Sequence, residues 1–310
     1  MDYTVLGRTG LKVSVMGLGC GGPSRVGKTT GKTEAESVNL VRKTLDLGVN
    51  IVDTAEAYKT EAVVGKALEG VPRDRVIVST KKSTPDDLSE EVVVASLEAS
   101  LKRLGTDYID IYHFHGVGPG QYDDIRDRFV PVFQKMRDQG KIRFIGITEM
   151  WGKDNGHDAL QKALADDVWD VMMVGFNVLN QTARERVFKI TREKNIGVLN
   201  MFAVRRALSR RERLLEVLKE LLEKGLIEQD AVDWNDPLGF LIAEDKNASV
   251  AEAAYRFCRH EPGIDVVLSG TGNPEHLSQN VESLLKPPLA EEDAQRLRQI
   301  FSRVDCVTGS

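Results

Sequence analysis

Residues 108–115 read YIDIYHFH. Apolar side chains fall on both alternating faces of this run, and a strand that is apolar on both faces has to be covered on both. Seven further runs have the same character: VSVMGLG (13–19), NIVD (50–53), RVIVST (75–80), IRFIGIT (142–148), VMMVGF (171–176), IGVLNMF (196–202) and IDVVLSG (264–270). Between them, segments such as TEAESVNLVRKTLDLG (33–48), SEEVVVASLEASLKRLG (89–105) and ARERVFKITREKN (183–195) space apolar residues three and four apart. These are helices. Eight alternating units predict an α/β fold, a closed (β/α)8 TIM barrel, with a doubly wound open sheet as the competing arrangement.

Two segments interrupt the alternation. The opening YTVLGRTGLKVSV (3–15) predicts an N-terminal β-hairpin cap on one barrel end. After the seventh strand, residues 203–247 form a long loop and helix insertion, read as a lid. A C-terminal helix, EEDAQRLRQIF (291–301), leaves the tail VDCVTGS (304–310), expected to be loosely held. All 310 residues are read as a single barrel domain, 1–310.

A hydrophobic content of 41% and a charged content of 29% suit a globular protein with a substantial core. The net charge of -5 supplies no basic field for nucleic acid. Cys20, Cys258 and Cys306 are scattered and odd in number, without zinc or disulfide spacing, which fits a reducing cytoplasm. The N-terminus lacks a signal-peptide pattern and no run is long enough for a membrane span. The expected partner is therefore a small molecule.

In a parallel barrel, chemistry collects at the C-terminal ends of the strands. Asp53 ends the second strand, Lys81 the third and His115 the fourth, with Tyr58 in the loop after the second. If Val76, Val78 and Thr80 face the helices, then Ile77, Ser79 and Lys81 face the axis and Lys82 points away. The same parity sets Ile51 with Asp53, and Ile111 with His113 and His115. Such convergence gives Tyr58 work as a general acid or base. Its phenol, ordinarily of pKa about 10, is expected to shift down beside the Lys81 ammonium. Asp53 keeps Lys81 charged and His115 hydrogen-bonds a substrate oxygen. Hydride has to come from a bound cofactor, because no side chain supplies it.

The stretches VDTAEAYKTEAVVGKAL, VIVSTK, SLEASLKRLGTDYIDIYHFH and GKIRFIGIT, in this order and spacing, resemble the aldo-keto reductases. The resemblance extends from LGRTGLKVSVMGLG to GNPEHLSQNVESL, nearly the whole chain. It implies a barrel that binds NADP(H) or NAD(H) in extended form, a catalytic tetrad of Asp53, Tyr58, Lys81 and His115, and a carbonyl, alcohol or sugar substrate at Tyr58 and His115. It also implies cofactor contacts from Gly21, Asp53, Phe202, Ser269, Gln279 and Asn280.

Several positions depart from the family pattern. Thr148 and Glu149 replace the usual Ser-Asn, with Glu149 an acceptor for the carboxamide. Met173 replaces a Gln, and Met201 replaces the aromatic that stacks on nicotinamide. Gly272 stands where many members carry an Arg for the adenosine 2′-phosphate, which makes NAD a serious alternative to NADP. Arg205 and Arg206, from the five arginines between 205 and 213, and the amides of Gly270, Thr271 and Asn273 are alternative phosphate contacts.

Other readings compete. His113 and His115 form the His-x-His of some metal-dependent hydrolases, but His157, His260 and His276 fall in helical segments, so no metal is expected and His113 packs beneath His115. Cys20 is expected near the barrel mouth in a packing role. Trp151 and Trp234 line a substrate pocket or pack under loops. A cofactor-sensing binding protein on the same barrel is the principal alternative to an enzyme.

Overall fold

The computed structural model of the chain describes residues 1–243 and 246–310, so two positions of the 203–247 insertion lie outside the described residues. Strands β1 (Tyr3–Val5) and β2 (Lys12–Ser14) pair antiparallel as the hairpin. The next eight are β3 (Met16–Gly19), β4 (Ile51–Asp53), β5 (Ile77–Ser83), β6 (Ile109–Val117), β7 (Ile142–Glu149), β8 (Val171–Gly175), β9 (Gly197–Met201) and β10 (Val266–Ser269). They run parallel in sequence order, and β10 pairs with both β9 and β3. That closure excludes the open sheet.

Alternation sorts the strand residues into two cores. Ile51, Ile77, Ile111, Val171, Met173, Leu199 and Val266 pack together along the barrel axis. Their neighbours Val52, Val78, Tyr112, Met172 and Val198 pack outward against the helices. Phe114, for example, stacks on Phe133 of the helix Val130–Asp138 with ring centroids 3.8 Å apart.

The hairpin plugs the N-terminal end of the barrel. Leu6, Leu11 and Val13 join the axial core, and the Arg8 amide donates to the Asn195 carbonyl at 2.5 Å. Gly7, at φ +44°, is pressed so closely on β9 that a Cβ there would lie 2.2 Å from the Gly197 nitrogen. At the other end, the long loop after β3 runs into the helix Glu34–Asp46, which opens on a capping box: Thr33 Oγ1 accepts from the Glu36 amide and Glu36 Oε2 accepts from the Thr33 amide.

The tail is not loosely held. Asn180 Nδ2 donates to the Val307 carbonyl (3.1 Å), Asn177 Nδ2 to that of Thr308 (3.0 Å), and the Ala207 amide to that of Gly309 (2.9 Å). Arg213 Nε and Nη2 donate to the Ser310 carbonyl at 3.0 and 2.8 Å. Polar side chains roughly a hundred or more positions upstream anchor it, so tail composition alone misleads. Among the described residues, no helix is long and apolar enough to cross a membrane.

Candidate active site

The β4–β5 register places Asp53 opposite Ser79, and Lys81 follows two residues later on the same inward face. Lys81 is fully buried. Its three N–H groups meet Asp53 Oδ1 at 2.7 Å, Asp53 Oδ2 at 2.6 Å and the Thr54 carbonyl at 2.7 Å. Burial works to discharge the amine, but Asp53 and then Tyr58 outweigh it and hold the ammonium above the ordinary lysine range. Lys82 faces the other way and pairs with Glu56 at 2.7 Å, so parity separates the two lysines.

Tyr58 ends a short 3-10 turn, Glu56–Tyr58, which stops at Lys59 in a left-handed conformation (φ 58°). Its ring lies directly on Gly21, where a Cβ would come within 2.5 Å of Tyr58 Cε2. Only glycine leaves that space. Tyr58 Oη is 3.2 Å from His115 Nε2, the rings meet edge to face, and Lys81 Nζ lies 5.0 Å from the phenol ring centroid.

The expected downward shift of Tyr58 is not what this environment produces. Burial pushes the phenol up, the Asp53 charge adds to it, and the pull of Lys81 does not overcome them. Burial, followed by the Lys81 charge, lowers His115 to about 3, so its imidazole is neutral around pH 7.

Beside Tyr58 lies a cavity of about 160 Å³, lined by Gly21, Asp53, Met173, Met201, Phe202, Arg205, Leu268 and Gly270 among others. Its lining combines the apolar Met173, Met201, Phe202 and Leu268 with the cationic Arg205. Phe202 reaches it through a left-handed backbone (φ 67°). The Arg205 guanidinium lies 4.2 Å from the Phe202 ring centroid and its Nε donates to Ser310 Oγ. No carboxylate among the described residues pairs with Arg205, whereas Arg206 is exposed. A larger cleft, about 790 Å³, lies between the helices Glu61–Leu68 and Glu90–Leu104 at the opposite end of the barrel, remote from this cluster.

The remaining positions divide. Thr148 Oγ1 accepts from the Gly116 amide at 2.7 Å. Glu149 is buried and turned away from the cavity, accepting from His157 Nδ1 at 2.8 Å and from the Gly175 amide at 2.7 Å. His157, itself left-handed at φ 63°, also contacts Thr182 Oγ1. Trp151 is buried on Gly175, where a Cβ would lie 2.0 Å from its ring, and its ring centroid is 5.6 Å from that of Phe202. Trp234 donates to the Gln229 carbonyl within its own loop and does not line the cavity.

At the end of β10, Tyr255 and Asn280 both reach Ser269 Oγ at 2.9 Å. Thr271 Oγ1 occupies the Asn273 amide, and Asn273 caps the helix Pro274–Leu285. Gly270 rests on the Gly19 carbonyl. A Cβ on Gly272 would stand 2.7 Å from Gly27 Cα. Gln279 is exposed. Cys20 is buried under the cluster, its amide donating to the Asp53 carbonyl.

Two partnerships escaped sequence reasoning: Glu149 with His157, and Ser79 with His113, whose Oγ and Nε2 are 3.1 Å apart. The inward parity of Ser79 and His113 was the available signal for the second. Among the described residues, no three His, Cys, Asp or Glu side chains gather as a metal-binding set.

A buried ammonium beside a phenol and a neutral imidazole, at the C-terminal mouth of a parallel barrel, is equipped to move a proton to or from an oxygen. Barrel enzymes that interconvert carbonyls and alcohols are the class this describes. Residues 16–301 match the Aldo/keto reductase family, and the chain belongs to it.

L-galactose dehydrogenase of Arabidopsis thaliana is 40% identical over 157 residues, which is 48% of this chain and 48% of that protein. YhdN of Bacillus subtilis, an aldo-keto reductase, is 28% identical over 89% of this chain and 87% of its own. The fold superposes on AKR11C1 from Bacillus halodurans with TM-score 0.73 at 24% identity, covering 97% of this chain and 96% of that one. It also superposes on an aldo/keto reductase from Klebsiella pneumoniae solved with NADP and acetate, at TM-score 0.72 and 22% identity over 99% of this chain and 100% of that one.

Proposed function

We propose that this protein interconverts a carbonyl and an alcohol with a nicotinamide dinucleotide, and that Tyr58 exchanges the proton. The observation that carries the reading is the Tyr58 hydroxyl, 3.2 Å from a neutral His115 and close to a Lys81 ammonium locked by Asp53. In reduction, Tyr58 gives its proton to the substrate oxygen and the phenolate left behind faces Lys81; in oxidation the proton returns. His115 orients that oxygen by hydrogen bonding. The dinucleotide, when bound, supplies or accepts the hydride.

The residues present fit such a group. The apolar cavity wall of Met173, Met201, Phe202 and Leu268 suits a flat ring beside Tyr58, and Arg205 offers phosphate a half-buried guanidinium with no carboxylate partner among the described residues. Packing of Gly27 on Gly272 leaves no room for a side chain there, which favours NAD(H) over NADP(H). A sugar or other small hydroxylated carbonyl compound is the proposed substrate class, supported by the likeness to L-galactose dehydrogenase.

Titration with NADH, NADPH and their oxidised forms, followed by turnover assays on aldehydes, ketones and sugars, tests the reading. Tight dinucleotide binding with no turnover on any of them would favour a cofactor-sensing role instead.

A further inference from the structure

Asp53 and Lys81 do not form an isolated pair. Ser79 Oγ donates to Asp53 Oδ1 at 2.7 Å and lies 3.1 Å from His113 Nε2, and Ser79, Asp53 and His113 are all buried. Counting protons fixes the direction of this chain. A serine hydroxyl has one proton, and a carboxylate beside it is an acceptor only. With that proton given to Asp53, Ser79 accepts from its other neighbour, so His113 Nε2 carries hydrogen. Nδ1 then holds the imidazole's lone pair. No partner meets Nδ1 with hydrogen-bond geometry, and the pull of the Ile147 backbone on the ring is smaller than the effect of burial.

The barrel wall makes room for this ring. Gly146 on β7 lies against it, and a Cβ at that position would be 2.1 Å from His113 Nδ1. Register reinforces the placement, since His113 pairs with Lys81 on one side and Gly146 on the other.

We propose that His113 and Ser79 are positioning residues for proton transfer at Tyr58, acting through the relay His113 Nε2–H to Ser79 Oγ–H to Asp53 Oδ1. This rests on the oxidoreductase reading above. His113 occupies a lone pair of Ser79 and so aims its single proton at Asp53. That bond is the third on the Asp53 carboxylate, after two from Lys81, and it favours the charged form against the burial that pushes this carboxyl up. A charged Asp53 in turn keeps Lys81 cationic, 5.0 Å from the phenol ring centroid. The other ionisable groups facing this chain are Tyr58, His115 and Cys20. Neither Ser79 nor His113 touches substrate.

The test separates the relay from the reaction. Nitrogen-15 histidine NMR of the wild-type protein is expected to show His113 as the neutral Nε2–H tautomer from pH 6 to 9; the Nδ1–H tautomer or an imidazolium overturns the relay whatever the protein catalyses. For activity, His113→Leu is expected to lower kcat roughly tenfold or more, with dinucleotide Kd unchanged and the alkaline limb of the pH profile displaced. His113→Gln, whose amide N–H can donate to Ser79, restores most of the rate and the profile. Ser79→Ala together with His113→Leu loses no more than Ser79→Ala alone. Wild-type pH profiles in His113→Leu, or failure of Gln to rescue a folded variant, overturn the proposal. A wild-type protein inactive on all carbonyls while showing the expected tautomer would instead refute the oxidoreductase reading, and with it the part in proton transfer, but not the hydrogen-bond relay itself.

Discussion

Lys81 Nζ lies 2.6 Å from Asp53 Oδ2 with both side chains out of water. Removing one partner leaves a buried charge without compensation. Lys81→Met is therefore expected to destabilise the fold by about 3–5 kcal/mol, whereas Asp53→Leu combined with Lys81→Met recovers most of that loss. Urea unfolding of the three proteins reads this directly; a double variant no more stable than Lys81→Met would refute the pair as described. Neither variant is expected to turn over substrate.

Tyr58→Phe keeps the ring on Gly21 and removes the hydroxyl that carries the proton. Turnover is expected to fall by a factor on the order of 10² to 10⁴, the usual reach of general acid–base catalysis, while dinucleotide affinity stays within about twofold. Near-normal kcat in this variant would remove Tyr58 from the mechanism.

Acid stability follows from His115. Its folded pKa, about 3, is below the roughly 6.5 of an unfolded histidine. Between those values the unfolded chain binds more protons, so this contribution is complete above the unfolded pKa and is lost as pH falls toward the folded one. The slope is about 1.4 kcal/mol per pH unit for one proton. His115→Gln is expected to flatten the stability curve by that slope between pH 6 and 4. Parallel curves for the two proteins would show that His115 is not buried neutral.

At Gly272 the limiting atoms belong to the Gly27 backbone. Gly272→Ala is expected to cost about 1–3 kcal/mol through overpacking. Gly272→Arg, for the same reason, is expected not to create tight NADPH binding. Thermal melts and titrations with NADH and NADPH check both, and a stable Gly272→Arg protein that gained NADPH affinity would show that the Gly27 loop yields.

Much of this molecule was legible because barrel strands have to be apolar on both faces, and each of the eight runs became one barrel strand. Strand parity alone separates Lys81 from Lys82. What stayed hidden depends on depth or on distant contacts. The sequence shows an ammonium near Tyr58 but not how far the phenol is withdrawn from water, and burial reverses the sign of its shift. Glu149 seemed free for a carboxamide, since nothing in the spacing reveals that His157, at φ 63°, turns back onto it. The anchoring of the tail rests on Asn177 and Asn180, two asparagines that read as ordinary loop residues.

The hairpin plug gives the barrel a floor. With Leu6, Leu11 and Val13 sealing one end and Gly7 pressed on the Gly197 amide, the described residues leave Tyr58 to be reached from the opposite mouth. On the oxidoreductase proposal, dinucleotide and substrate share that mouth. The hairpin, which never approaches the chemistry, serves it by closing the other end.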